Sequence, residues 1–163
     1  MITFVIHFDV MYGNLQTRSA FKTTLTAQIV RIRISSVHAN AQNPTVMIVD
    51  DTDDIREFVR LQLSTLGYRV MEAANGEEAI ELIQQEVPKL ILMDLHMPGL
   101  DGFDVTRFIR DRMEDASVVI IAFTALTGEE SRQKALAAGC NDYVEKPLET
   151  GELSSLLDRH LSA

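Results

Sequence analysis

Residues 90–102 read Leu90-Ile91-Leu92-Met93-Asp94-Leu95-His96-Met97-Pro98-Gly99-Leu100-Asp101-Gly102, and this stretch decides the fold. Leu90 to Met93 is a short, continuous apolar run, as a strand buried on both faces requires. It stops at an acid. One Pro and two Gly then make a tight loop that leaves the Asp94 carboxylate exposed at the strand end. Phe103 to Arg110 follows as a helix, with Phe103, Phe108 and Ile109 expected to turn inward.

The same grammar repeats on either side. Upstream, Val46-Met47-Ile48-Val49 is a first buried strand, followed by the acids Asp50 and Asp51. Asp53 or Asp54 can cap a helix whose apolar positions are Ile55, Phe58, Val59, Leu63 and Leu66, ending at Gly67. Tyr68 to Ala73 is a second strand. Asn75 with Glu78 forms a capping box opening a helix through Ala79, Ile80, Leu82 and Ile83, and Pro88 closes that connection. Downstream, Val118 to Phe123 is a β-branched fourth strand, and Glu129 to Ala138 a helix stopped by Gly139. Asp142 to Glu145 is a short fifth strand, and Thr150 to Leu161 an amphipathic helix with Leu153, Leu156, Leu157 and Leu161. Strands alternating with helices imply an α/β, doubly wound parallel sheet with right-handed crossovers. Such sheets bind ligands at the carboxyl ends of their strands.

That rule is met by the polar residues. Asp50 and Asp51 follow the first strand, Asp94 the third, Thr124 the fourth and Lys146 the fifth. Carboxylates brought together repel unless a cation compensates, and oxygen-only ligands at a partly open site suit Mg²⁺. A helix cap would explain one of the acids in Asp50-Asp51-Thr52-Asp53-Asp54, but not Asp94 and Lys146 at the same edge. A carboxylate can attack phosphorus when a metal and an ammonium neutralise the charge. Lys146 can reach a phosphoryl oxygen as a point charge, Thr124 offers a hydroxyl, and the small Ala125 leaves room.

The 163 residues suffice for one good core, and their net charge of -9 disfavours nucleic acid as a partner. Residues 1–43 hold Asp9 against Arg18, Lys22, Arg31 and Arg33, net +3, so residues 44–163 carry -12. This first part keeps no sustained apolar period apart from the strand-like Ala27 to Ile34, and is expected to be a flexible extension or a start-site artefact. Domains are therefore expected at 1–43 and 44–163. Cys140 is the only cysteine, which excludes an internal disulfide and a thiolate cage. No apolar run approaches the ~20 residues needed to span a bilayer. Ala39-Asn40-Ala41 is shaped like a cleavage site, but Met1 to Val10 lacks the basic start of a signal peptide, so cytoplasmic residence is expected. His7, His38 and His160 have no supporting constellation. Met47, Met71 and Met93 are expected core filling, and Cys140 a small turn residue.

Val49-Asp50-Asp51, the run from Met93 to Gly102, Thr124-Ala125 and Tyr143-Val144-Glu145-Lys146-Pro147 resemble, in order and spacing, the signature set of two-component receiver domains. The resemblance covers about residues 44 to 163 and is closest to stand-alone receivers like the chemotaxis response regulators. It implies a flavodoxin-like sheet of order 2-1-3-4-5 flanked by five helices. It implies that Asp94 accepts a phosphoryl group from a sensor histidine kinase or histidine phosphotransfer protein. Asp51 would bind Mg²⁺ directly and Asp50 mostly through water, with Asp94 and the His96 carbonyl completing the ligands; Mn²⁺ would substitute. Lys146 would pair with Asp94 and then with the phosphoryl group, beside a cis Lys146-Pro147 bond. Ala125, Leu126 and the His96 ring would border the phosphoryl group. Thr124 would move toward it and Tyr143 turn inward, switching a surface that docks an unidentified effector protein. No helix-turn-helix follows the last helix, so no direct nucleic-acid contact and no membrane insertion are expected. The rival reading is a Mg²⁺-dependent phosphohydrolase using an aspartyl-phosphate. Such enzymes place a second acid two residues after the nucleophile, where this chain has His96. A non-phosphorylated scaffold of the same shape would lack one acid or the lysine, and none is missing.

Overall fold

The computed structural model describes residues 43–112, 117–148 and 151–161. The expected N-terminal extension, His7, His38 and the start of the last helix at Thr150 lie outside the described residues. In chain order the elements are β1 (Thr45–Val49), α1 (Asp53–Thr65), β2 (Arg69–Ala73), α2 (Gly76–Gln85), β3 (Leu90–Met93), α3 (Gly102–Arg112), β4 (Val119–Thr124), α4 (Glu129–Ala138), β5 (Asp142–Glu145) and α5 (Glu152–Leu161). The five strands form one sheet, all pairings parallel, in the order β2-β1-β3-β4-β5.

Alternation along each central strand divides the core in two, because successive side chains leave a strand on opposite faces. Met47, Val49, Ile91, Met93, Ile120 and Ala122 pack with Ala79 and Ile83 of α2, Val105 and Ile109 of α3 and Ala135 of α4. Val46, Ile48, Leu90, Leu92, Ile121 and Phe123 pack with Val59 and Leu63 of α1 and Leu153, Leu156 and Leu157 of α5. Continuous apolar runs are thus the signature of a sheet covered twice. Met47 and Met93 are fully buried and Met71 packs against the same core.

The helix ends follow local chemistry. Asn75 accepts from the Glu78 amide at 2.8 Å, and the Glu78 carboxylate reaches back to the Ala74 amide at 2.7 Å. Gly67 and Gly139 end α1 and α4 with φ of +90° and +109°, a region costly for a residue with a Cβ. The expected cap of α1 by an acid is not found. Thr52 holds the cap position without a side-chain bond, and Asp53 and Asp54 lie in the first turn, where their charge favours the positive end of the helix dipole.

Two inward faces also differ from expectation. On α1 the buried stripe is Val59 and Leu63 with Ile55 half-buried, while Phe58, Leu61 and Leu66 are 55%, 53% and 44% exposed. On α3 the inward residues are Val105, Thr106 and Ile109, with Phe103 packed at the margin and Phe108 half-buried. In both helices a bulky aromatic lies one or two positions off the true stripe.

Candidate functional site

Strand register alone assembles the site. Val49 pairs with Met93, and the Asp94 amide donates to the Val49 carbonyl at 2.8 Å, so the next residues, Asp50 and Asp94, emerge side by side. Thr124 pairs with Glu145, and the Lys146 amide donates to the Thr124 carbonyl at 2.9 Å. Lys146 then turns back across the strand ends with its Nζ 5.2 Å from the centre of the Phe123 ring. That ring face favours the cation electrostatically. The Lys146–Pro147 peptide is cis.

The Lys146 ammonium lies between two acids, 2.6 Å from Asp94 Oδ2 and 2.5 Å from Asp50 Oδ2. Asp94 Oδ1 accepts from the His96 amide at 3.0 Å, and Asp50 Oδ1 from the Thr52 amide at 3.0 Å. Asp50 is fully buried, with the Lys146 ammonium as the close partner of its Oδ2. Asp51 is exposed at the mouth. One ligand oxygen from each of Asp50, Asp51 and Asp94 lies within 4.8 Å of the others. Three carboxylates against one ammonium leave the cluster two negative charges in excess, and like charges this close repel unless a cation compensates. The all-oxygen set and its excess of negative charge fit a hard divalent cation such as Mg²⁺.

The remaining expected residues lie on β4, on β5 and in the loops that follow β3 and β4. Thr124 is fully buried, and its Oγ1 accepts from the Leu126 amide at 3.3 Å. Ala125 is exposed and Leu126 half-buried. His96 is exposed, and its side chain is outside the acidic cluster. Tyr143 is buried in the core with its hydroxyl donating to the Leu126 carbonyl, so β5 is tied to the loop after Thr124. Burial, reinforced by the Glu145 charge, pushes its phenol pKa up. The loop before α3 closes tightly underneath. A Cβ on Gly102 would meet the Asp94 carbonyl oxygen and stand 2.8 Å from the Leu95 Cα.

The chain matches the response regulator receiver domain family over residues 46–158. It belongs to that family. The receiver is 38% identical over 118 residues to a 14.6 kDa protein from the sodA1 3′ region of Leptolyngbya boryana, covering 72% of this chain and 90% of that one. It is 43% identical over 110 residues to the probable transcriptional regulator ycf27 of Guillardia theta, 68% of this chain but 42% of the relative. It spans under half the length of such regulators. Among solved structures, the receiver domain of the sensor histidine kinase PA1611 from Pseudomonas aeruginosa superposes with a TM-score of 0.68 at 35% identity, covering 74% of this chain and 99% of that one. That structure has a magnesium ion coordinated in its active site cleft. Receiver domains are signalling domains that bind Mg²⁺ at this acidic site and interact with histidine kinases and effectors. Among the described residues, no helix is long and apolar enough to cross a membrane.

One neighbour of the site carries no sequence motif. Arg56, on the first turns of α1, donates to the Asp50 carbonyl at 2.7 Å and also binds Asp53. The spacing of Asp53 and Arg56 suits an ion pair on a helix and is the one signal the sequence offers. His160, expected to stand alone, has its Nε2 3.0 Å from Asp142 Oδ2, with Arg159 on the same oxygen at 3.1 Å. Cys140 is buried, and burial pushes its thiol pKa up.

Proposed function

We propose that Asp94 is the phosphoacceptor of the receiver, and that the observation carrying this reading is the ammonium of Lys146 shared between Asp94 and Asp50. An Asp94 carboxylate oxygen attacks the phosphorus of a phosphohistidine on a sensor kinase or phosphotransfer protein. The P–N bond breaks, the imidazole departs, and an acyl phosphate forms on Asp94. Lys146 follows the negative charge from the carboxylate to the phosphoryl oxygens, and the Thr124 hydroxyl donates to one of them. Ala125, Leu126 and the His96 ring border the group and govern access of water to it.

Asp50, Asp51, Asp94 and the His96 carbonyl would hold Mg²⁺, or Mn²⁺ in its place. When bound, the cation supplies the positive charge that lets a phosphoryl group approach an acidic cluster. Recruiting the Thr124 hydroxyl to the phosphoryl group withdraws it from the Leu126 amide. Tyr143 holds the Leu126 carbonyl, so that loop and β5 change together, and the face of α4, β5 and α5 presents a different surface to an effector protein. The signalling unit in this reading is residues 44–163, with 1–43 an extension. It works in the cytoplasm, contacts no nucleic acid itself, and turns over no substrate beyond its own phosphorylation and dephosphorylation.

The test is incubation of the full chain with acetyl phosphate or phosphoramidate and Mg²⁺, followed by intact mass. One added phosphoryl group is expected, lost in D94A and on chelation. Addition that survives in D94A, or sustained multiple turnovers of a phosphate ester, would overturn it.

A further inference from the structure

We propose that Arg56 is a positioning residue for the acidic loop: its guanidinium holds the peptide joining Asp50 to Asp51 and so sets where Asp51 stands in the cation-binding cluster. The proposal rests on the reading above that this cluster takes a divalent cation.

Asp50 is held at almost every polar atom. Its amide donates to the Ala73 carbonyl at 3.1 Å, its Oδ1 accepts from Thr52, and its carbonyl accepts from Arg56 Nη1 at 2.7 Å. Asp51 is different. It is exposed, and the hold on its carboxylate is a long contact of 3.5 Å from the Thr52 hydroxyl. Its position therefore depends on the backbone from which it springs, and the Asp50 carbonyl is the oxygen of that peptide plane. Arg56 is the group that fixes this oxygen. Its side chain is only 14% exposed, so the fork has little freedom to wander.

The second arm of the fork has a separate effect. Residues 50–54 carry four carboxylates. Asp53 is the partner of Arg56 Nη2, which draws one of the four onto α1 and away from the cluster. A planar guanidinium serves both acceptors at once, whereas a lysine ammonium is a point charge that cannot reproduce the fork. Arg60, one turn further along α1, carries the same charge but pairs with Glu57 at 3.8 Å and Glu72 at 3.4 Å. It is the natural control for charge without the clamp.

The experiment is calorimetric titration of the full chain with Mg²⁺ alone, for wild type, R56A, R56K, R60A and D51N, with urea midpoints measured in chelator. Wild type is expected to bind and D51N not to. R56A is expected to bind about tenfold more weakly, the usual scale for groups that orient metal ligands. R56K should fall with R56A, and R60A should match wild type. A structural role alone would move the urea midpoint and leave affinity intact. If R56K binds as wild type does, or R56A does, the clamp is overturned; should R56A not fold, the affinity of R56K against that of wild type decides. Absence of Mg²⁺ binding by wild type would instead overturn the cation reading itself.

Discussion

The two ends of the sheet solve opposite electrostatic problems. At the carboxyl ends of the strands, Asp50, Asp51 and Asp94 crowd round a single ammonium. At the amino ends, Arg110 donates from all three nitrogens to matched acceptors: the Gly139 carbonyl at 2.9 Å, the Val118 carbonyl at 3.0 Å and Asn141 Oδ1 at 2.7 Å. Glu86 is equally well served there, by Thr45 at 2.9 Å and Arg69 at 2.8 Å. One end is satisfied and only stabilises. The other is left short of positive charge, which costs stability but makes it receptive to a cation and a phosphoryl group. The difference separates what holds this molecule together from what it does.

The largest effect expected from breaking that division is at Arg110. R110A strands acceptors just after α4, just before β4 and in the turn before β5, and should cost about 2–3 kcal/mol, as loss of hydrogen bonds to a charged group does. Urea unfolding measures this, and phosphorylation of Asp94 should persist in the folded fraction. If R110A instead abolished labelling at unchanged stability, the ends would not be independent. A smaller effect of opposite sign is expected at Asp51. In chelator, D51N should be more stable than wild type by about 1 kcal/mol, since it removes one of several like charges a few ångströms apart. With Mg²⁺ present the order should reverse, because only wild type gains from binding. A destabilised D51N in chelator would show that the acids are not in conflict.

The smallest effect sharpens the satisfied end. The hydrogen bonds from Arg69 and then Thr45 hold the Glu86 carboxyl below its usual range. Its folded pKa is therefore lower than its unfolded one, near 4.3. The unfolded chain binds the extra proton between these values, so the contribution is complete above the unfolded pKa and fades as pH falls through the folded one. E86Q should unfold at a midpoint closer to that of wild type at low pH than at neutral pH. Equal differences at both would show that the charge on Glu86 contributes nothing to this end.

Much of this is legible in the sequence, for a physical reason. A parallel strand covered on both faces must be apolar throughout, so Val46 to Val49 and Leu90 to Met93 announce themselves, and the polar residue that ends each run is placed at the same sheet edge by register. Amphipathic helices are less explicit. Phe58 and Phe108 read as inward because they are large and apolar, yet the buried stripes run through Val59 and Leu63, and through Val105 and Ile109. Arg56 and Arg110 are illegible in a stronger sense. Three of their five acceptors are main-chain carbonyls, which every residue possesses, and for Arg110 they come from separate segments of the chain. No residue type advertises such a partner.

The glycine beneath Asp94 has a mechanical meaning. Because position 102 abuts the carbonyl of residue 94 itself and the Leu95 Cα, the first turn of α3 is the floor on which Asp94 stands. A methyl group there would press on main chain rather than on a yielding side-chain tip. The depth at which the carboxylate sits is thus metered by a hydrogen atom eight positions further along the chain.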